Sequence, residues 1–230
     1  MSSNYLVMCL EGYSQAWGIT GKFSLRTTDQ YPTKSGVVGI LAACLGVDRG
    51  DVKEIGRLAS MQMRVYKPSE VFDPVLGRMK KVRTTVGRDY HTIGGNDRQK
   101  VPKANGATAK TVITERDYLY GACFVVIFEG EETLIQKCAA ALLNPVWPPF
   151  LGRKCCIPSR PMFSGVFDTP EKLLEHIKML IPDNTPYMED GAGEAGAETI
   201  TRNDVPVNMA KRRFSSRLVS VWPSVKGALS

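Results

Sequence analysis

The chain has 230 residues, 43% of them hydrophobic, and its 30 Lys and Arg against 23 Asp and Glu give a net charge of +7. That composition supplies one sizeable core, expected as a single domain over residues 1–230, and excludes a disordered polybasic tail. No run approaches the eighteen or so apolar residues of a membrane span, and Met1-Ser2-Ser3-Asn4 lacks the basic start of a signal peptide, so a soluble cytoplasmic protein with no membrane contact is expected.

Tyr5 to Leu10 is a short apolar run ended by Glu11-Gly12 and reads as a strand buried on both faces. A polar stretch runs from Ser14 to Tyr31. Pro32 and Thr33 then supply helix-start chemistry for Val37 to Val47, which is apolar almost all round. Asp51 to Ala59 repeats apolar residues at helical spacing, and Met61 to Tyr66 alternates as a strand does.

Between Gly77 and Arg116 the chain carries ten basic residues against three acidic ones, an excess equal to the whole net charge. This segment has few aliphatics and a central Tyr90-His91, so it is expected to project from the fold and meet a polyanion. Val82 to Val86 and Thr111 to Thr114 are expected to pair around the Gly94-Gly95-Asn96-Asp97 turn, making residues 78–115 an extended basic β-hairpin, or thumb.

Beyond it, Ala122 to Phe128 is the strongest strand signal, followed by helices over Glu131–Leu143 and from Thr169-Pro170 to Ile181. His176 reads as a solvent-facing residue of the second helix. Residues 183–199 turn to Gly, Ala and acid and are expected to form a mobile surface loop. The basic piece after it, Lys211 to Trp222, reads as a partly buried edge strand. A β-α-β unit followed by another predicts an α+β, ferredoxin-like sheet of the kind found in RNA-recognition motifs.

Of the six cysteines, Cys9, Cys44, Cys123 and Cys138 sit among apolar neighbours, and none of the six has Cys-x-x-Cys or Cys/His spacing, so no metal, cofactor or disulfide is expected. Thr33, Lys34 and Ser35 stand at a helix start, where N–H groups and an ammonium suit a phosphate; an ordinary cap with a solvated lysine is the alternative. Trp17 in Gln15-Ala16-Trp17-Gly18 is either a core lid or a base-stacking platform. Gly152-Arg153-Lys154 and Ser159-Arg160-Pro161 form a compact basic loop stiffened by prolines. Arg83, Arg88, Tyr90, His91 and Arg116 complete the candidate RNA surface.

Gln15-Ala16-Trp17-Gly18, Tyr31-Pro32-Thr33-Lys34-Ser35-Gly36, Arg88-Asp89-Tyr90-His91-Thr92 and Leu151-Gly152-Arg153-Lys154 occur in the order found in CasD-type subunits of type I-E CRISPR Cascade complexes, and the resemblance runs from Tyr5 to about Trp222. It departs where Cys155 replaces a serine and Ile157 delays a proline. The resemblance implies a RAMP-superfamily protein that caps the crRNA 5′ handle without cleaving it. Its implied partners are the backbone and large subunits, with target DNA near the PAM-proximal end as a further contact. It also implies a handle-binding surface including Trp17, Lys34, Arg88, Tyr90, His91, Arg153 and Lys154. The alternative is a metal-independent endoribonuclease of the CRISPR repeat using Tyr90 and His91.

Overall fold

A computed structural model describes residues 3–18, 21–22, 24–94, 100–102, 106–193 and 196–223. In chain order the elements begin β1 (Ser3–Glu11), β2 (Ser14–Gln15), β3 (Gly21–Lys22), β4 (Leu25–Arg26), α1 (Lys34–Leu45), α2 (Val52–Ser60) and β5 (Gln62–Tyr66). The basic region contributes β6 (Glu70–Asp73), β7 (Arg78–Lys81), β8 (Thr85–Gly94), β9 (Val101–Pro102), β10 (Thr108–Ala109) and β11 (Thr111–Tyr120). The rest is β12 (Cys123–Glu131), α3 (Glu132–Leu143), β13 (Phe163–Phe167), α4 (Pro170–Leu180), β14 (Tyr187–Asp190), β15 (Glu198–Asn208) and β16 (Arg213–Trp222).

Seven strands form the main sheet in the order β13-β1-β12-β5-β14-β16-β15, antiparallel throughout. Period-2 alternation decides which side chain goes to which face. Leu6, Met8 and Leu10 of β1 join Phe124, Val126 and Phe128 of β12 under α1, α2 and α3. Val7 and Cys9 join Cys123, Val125 and Ile127 on the opposite face, where Leu173, Ile177 and Leu180 of α4 cover them. Both central strands are thus apolar on both sides, as the unbroken run Tyr5 to Leu10 requires. Burying each large aliphatic or aromatic side chain there contributes about 1.5–3 kcal/mol.

Local chemistry sets the helix boundaries. Thr33 caps α1 by accepting from the Gly36 N–H, Asp51 caps α2 by accepting from Glu54, and Thr169 caps α4 ahead of Pro170. Among the described residues no helix is long and apolar enough to cross a membrane.

In a second sheet β11 pairs β2 and β4 along one edge and β8 along the other. The β8–β11 ladder matches ten residues with ten, a ribbon of roughly 30 Å.

Four expectations need correction. Thr111–Thr114 pairs with His91–Gly94, whereas Thr85 and Val86 pair with Tyr120 and Leu119 at the base, because the hairpin is longer than the short apolar patches suggested. Its expected turn at Gly94 to Asp97 lies largely outside the described residues, as do Arg98 and Lys103. Residues 183–199 are not all loop: Tyr187 and Met188 of β14 are buried, since two aromatic or apolar residues suffice when neighbouring strands flank them. β16 lies between β14 and β15 rather than at the edge. His176 is half-buried against Phe167, ring centroids 4.7 Å apart, and shares a hydrogen bond of 3.0 Å with Ser164 Oγ; burial lowers its pKa.

Candidate nucleic-acid interface

The sequence motifs pack against one another. Trp17 is 1% exposed, and its indole N–H donates to Gln15 Oε1 at 3.1 Å. Gln15, itself buried, donates to the carbonyls of Leu10 (2.9 Å) and Ala122 (2.8 Å). The indole lies over α1 so closely that a Cβ on Gly36 would come within 2.8 Å of Trp17 Cε3. Gly152, at φ 91°, approaches from the other side: a Cβ there would sit 1.8 Å from the Ala16 carbonyl oxygen, which only glycine avoids. Ala16 N–H donates to the Leu151 carbonyl at 3.1 Å, closing the contact. Trp17 is therefore a core lid, with neither ring face open for stacking, and Gln15 braces it.

The start of α1 already holds an anion. Lys34 N–H donates to Asp204 Oδ2 at 2.9 Å, and Lys34 Nζ turns inward to Asp190 Oδ2 at 2.6 Å. Arg217 binds both Asp190 and Asp204, while Arg202 meets Asp29 (3.1 Å) and Asp204 (3.5 Å). Three cations and three carboxylates balance in this buried cluster. Burial pushes Asp204 up, but the Arg217 hydrogen bonds and charge outweigh it and leave the carboxyl below its ordinary value. The phosphate site expected at Thr33, Lys34 and Ser35 is thus occupied by the protein's own carboxylate, Thr33 acts as the cap, and Ser35 is half-buried beside it.

Outside this scaffold lies a groove of about 540 Å³ floored by Gly36 and Gly39 of α1, with Phe150 and Gly152 along one wall. Trp147 and Phe214, 45% and 40% exposed, face into it, and Arg49 and Arg212 stand among its lining residues. Arg212, in the β15–β16 turn, has φ 51°, the one described non-glycine residue with a positive φ. In the sequence Lys211-Arg212-Arg213-Phe214 reads only as the start of a strand-like piece; the signal of a site there is its run of basic residues beside an aromatic.

The same 151–156 loop reaches the β8–β11 hairpin. Adjacent strand residues point to opposite faces, so Tyr90 and His91 part company. Tyr90 shares its face with Arg88, Glu115 and Asp117; His91 shares the other with Asp89, Thr114, Arg116 and Tyr118. His91 Nε2 lies 2.7 Å from Asp89 Oδ2 and 3.5 Å from Tyr118 Oη, whose hydroxyl is 3.5 Å from Cys155 Sγ. The Tyr90–His91 pair required by the ribonuclease alternative is not assembled. Tyr118 stands beside His91 instead, a placement legible only once the cross-strand register is known. Burial, with the Cys155 thiol adding to it, raises the Tyr118 pKa.

The cations divide into occupied and exposed. Arg88 holds Asp117 at 2.7 Å and Glu115 at 3.2 Å, and the Asp117 hydrogen bond leads in raising its pKa. Arg153 lies 4.5 Å over the Tyr118 ring and donates to the carbonyls of Asp117 (3.0 Å) and Arg26 (2.9 Å), stapling the loop to β11 and β4. Arg160 donates to the Phe72 carbonyl at 3.3 Å and faces Glu11 at 3.6 Å. Arg116 donates to Thr114 Oγ1 at 3.1 Å and is half-buried. Arg83 and Lys154 are exposed and enter no ion pair among the described residues.

Comparison with known proteins places this architecture. The family described as CRISPR-associated protein (Cas_Cas5) matches residues 5–220. The CRISPR system Cascade subunit CasD of Escherichia coli (strain K12) is 31% identical over 98% of this chain and 97% of its own. A solved structure titled CRISPR RNA-guided surveillance complex contains a chain with TM-score 0.69 and 28% identity, covering 98% of this chain and 92% of its own. Another, titled Crystal structure of Cas protein, gives TM-score 0.63 and 30% identity over 95% of each chain. This chain belongs to the Cas5 family of CRISPR-associated proteins.

Proposed function

We propose that this protein is a non-catalytic crRNA-binding subunit of a type I-E Cascade surveillance complex in the cytoplasm, holding the 5′ handle as a bent single strand. The observation that carries the reading is the groove walled by Trp17, Gly36 and Gly152, with Trp147 and Phe214 open in it and the 151–156 loop joining it to the His91 face of the hairpin. Splayed bases stack on the aromatics, while Arg49, Arg212, Lys154 and Arg83 meet phosphates. The β8–β11 ribbon is then the thumb, reaching toward a backbone subunit, with the large subunit and target DNA as further neighbours. The strand order β13-β1-β12-β5, with α1 and α2 between β1 and β5 and α3 between β12 and β13, supports a ferredoxin-like half within a single domain of residues 1–230, the hairpin being its insertion.

The test is binding of repeat-derived 5′-handle RNA across a salt series. Phe214→Ala and Trp147→Ala are each expected to lose about 1–3 kcal/mol of binding. Lys154→Ala is expected to lower the slope of log affinity against log salt by about 0.7, whereas Arg88→Ala leaves it unchanged because carboxylates already hold that guanidinium. Unchanged binding in both aromatic variants overturns the groove assignment. The ribonuclease alternative retains one observation, the Asp89–His91–Tyr118 contact. A discrete product from repeat RNA in EDTA that is lost in His91→Ala would establish it, and none is expected.

A further inference from the structure

The face of the main sheet beneath α4 brings together three donor groups that sequence spacing keeps apart. Cys9 and Glu11 lie on β1, and Cys123 lies on β12, 114 residues from Cys9. In the ladder Glu11 pairs with Cys123 and Cys9 with Val125, so all three side chains point to one face. Cys9 Sγ and Cys123 Sγ are 3.5 Å apart, and a carboxylate oxygen of Glu11 completes a trio whose donor atoms all lie within 4.8 Å of one another. Both thiols are buried.

The geometry points to a binding site for a thiophilic divalent cation of the zinc class, held by Cys9, Cys123 and Glu11. Thiolates at about 2.3 Å from a tetrahedral zinc lie about 3.8 Å from each other, close to the separation already present. A disulfide fits worse. The two cysteines are diagonal neighbours, for which Cα atoms stand about 7–8 Å apart, beyond the 4.4–6.8 Å that a disulfide spans.

The surrounding charges balance the site. Two thiolates and a carboxylate carry three negative charges, so a dication leaves one. Lys80 Nζ is 2.5 Å from Glu11 Oε1 and 3.2 Å from Asp73, and Arg160 is 3.6 Å from Glu11 Oε2. Lys80 and Arg160 together offset that residual charge and Asp73. Glu11 Oε2 is buried with no hydrogen-bond partner among the described residues, leaving a lone pair for the metal, while Lys80 orients the other oxygen. Loading releases the thiol protons to solvent and forms two metal–sulfur bonds and one metal–oxygen bond. The partly exposed Glu11 and Lys80 mark the entry side.

The experiment titrates chelator-treated full-length protein with Cd²⁺, following the thiolate-to-cadmium charge-transfer band, with Zn²⁺ added as competitor. Saturation at one equivalent is expected, with the band displaced by zinc. Cys9→Ala/Cys123→Ala is expected to abolish it, Glu11→Gln to weaken binding at least tenfold, and Cys155→Ser to leave it intact. Should the double variant fail to fold, the wild-type melting temperature decides: it is expected to rise with the logarithm of Cd²⁺ concentration above saturation. A band that survives in the folded double variant or vanishes in Cys155→Ser, or a wild type with neither band nor melting shift, overturns the proposal.

Discussion

Replacing Lys34 with methionine separates a phosphate ligand from a buried structural cation. In the structure its ammonium contacts Asp190 at 2.6 Å, with both side chains under a tenth exposed. Removing one partner of a buried ion pair costs about 3–5 kcal/mol when the survivor is stranded. Asp190 is not stranded, because Arg217 and the Met63 N–H, 3.1 Å away, still hold it. Methionine also fills most of the lost volume, so the expected loss lies at the lower end, about 3 kcal/mol. With a urea dependence of about 3 kcal/mol per molar for a chain of this size, the unfolding midpoint falls by about 1 M. The same variant, assayed below its transition on handle RNA, keeps the wild-type salt slope because no phosphate contact is lost. A slope lower by about 0.7 with an unmoved urea midpoint would refute the inward-facing lysine.

Gly152→Ala is expected to destabilise by several kcal/mol and to weaken RNA binding with it, since both the 91° φ and the 1.8 Å approach to Ala16 oppose a methyl; urea unfolding with parallel RNA titration checks this, and a fully stable variant contradicts the packing. Tyr187 Oη is buried with no hydrogen-bond partner among the described residues, so Tyr187→Phe is expected to stabilise by about 1 kcal/mol, raising Tm by roughly 2–4 °C. Burial pushes the Tyr187 phenol from 10 up to about 12. Because the folded state holds this proton more tightly, the associated stability is present below pH 10 and is lost as pH rises toward about 12, a limb of about 2–3 kcal/mol that Tyr187→Phe should flatten. Asp204 behaves in the opposite sense: its lowered folded pKa means stability present above the ordinary aspartate value and lost as pH falls below it, so Asp204→Asn is expected to unfold at a lower urea concentration near neutrality yet show a weaker acid limb.

Elements with a strong internal pattern were legible in the sequence. β1, β12, α1, α3 and α4 declared themselves through apolar runs, helical spacing and caps at Thr33 and Thr169, because their own residues supply most of their burial. β14 did not, since Tyr187 and Met188 acquire their burial between β5, more than a hundred residues earlier in the chain, and β16. The candidate site shows the same division. Residue types picked out the basic hairpin, but only its register shows that Arg88 is held by Asp117 and that His91 faces Tyr118 rather than Tyr90. Lys34 illustrates the other limit: a lysine at a helix start looks the same in sequence whether it points to solvent or to Asp190, and the deciding partners come from β14, β15 and β16.

The interlock of Trp17 over Gly36 and Gly152 against Ala16 bears on how specificity could change among such proteins. The positions that make the chain recognisable are those whose substitution the frame itself resists, whatever strand lies outside. Arg49, Trp147, Lys154, Arg212 and Phe214 carry no such veto: the first four project from loops or turns, and Phe214 is partly exposed at the start of β16. If the groove holds RNA as proposed, a change in the bound strand can be met at these five positions one at a time, with the wall behind them unmoved.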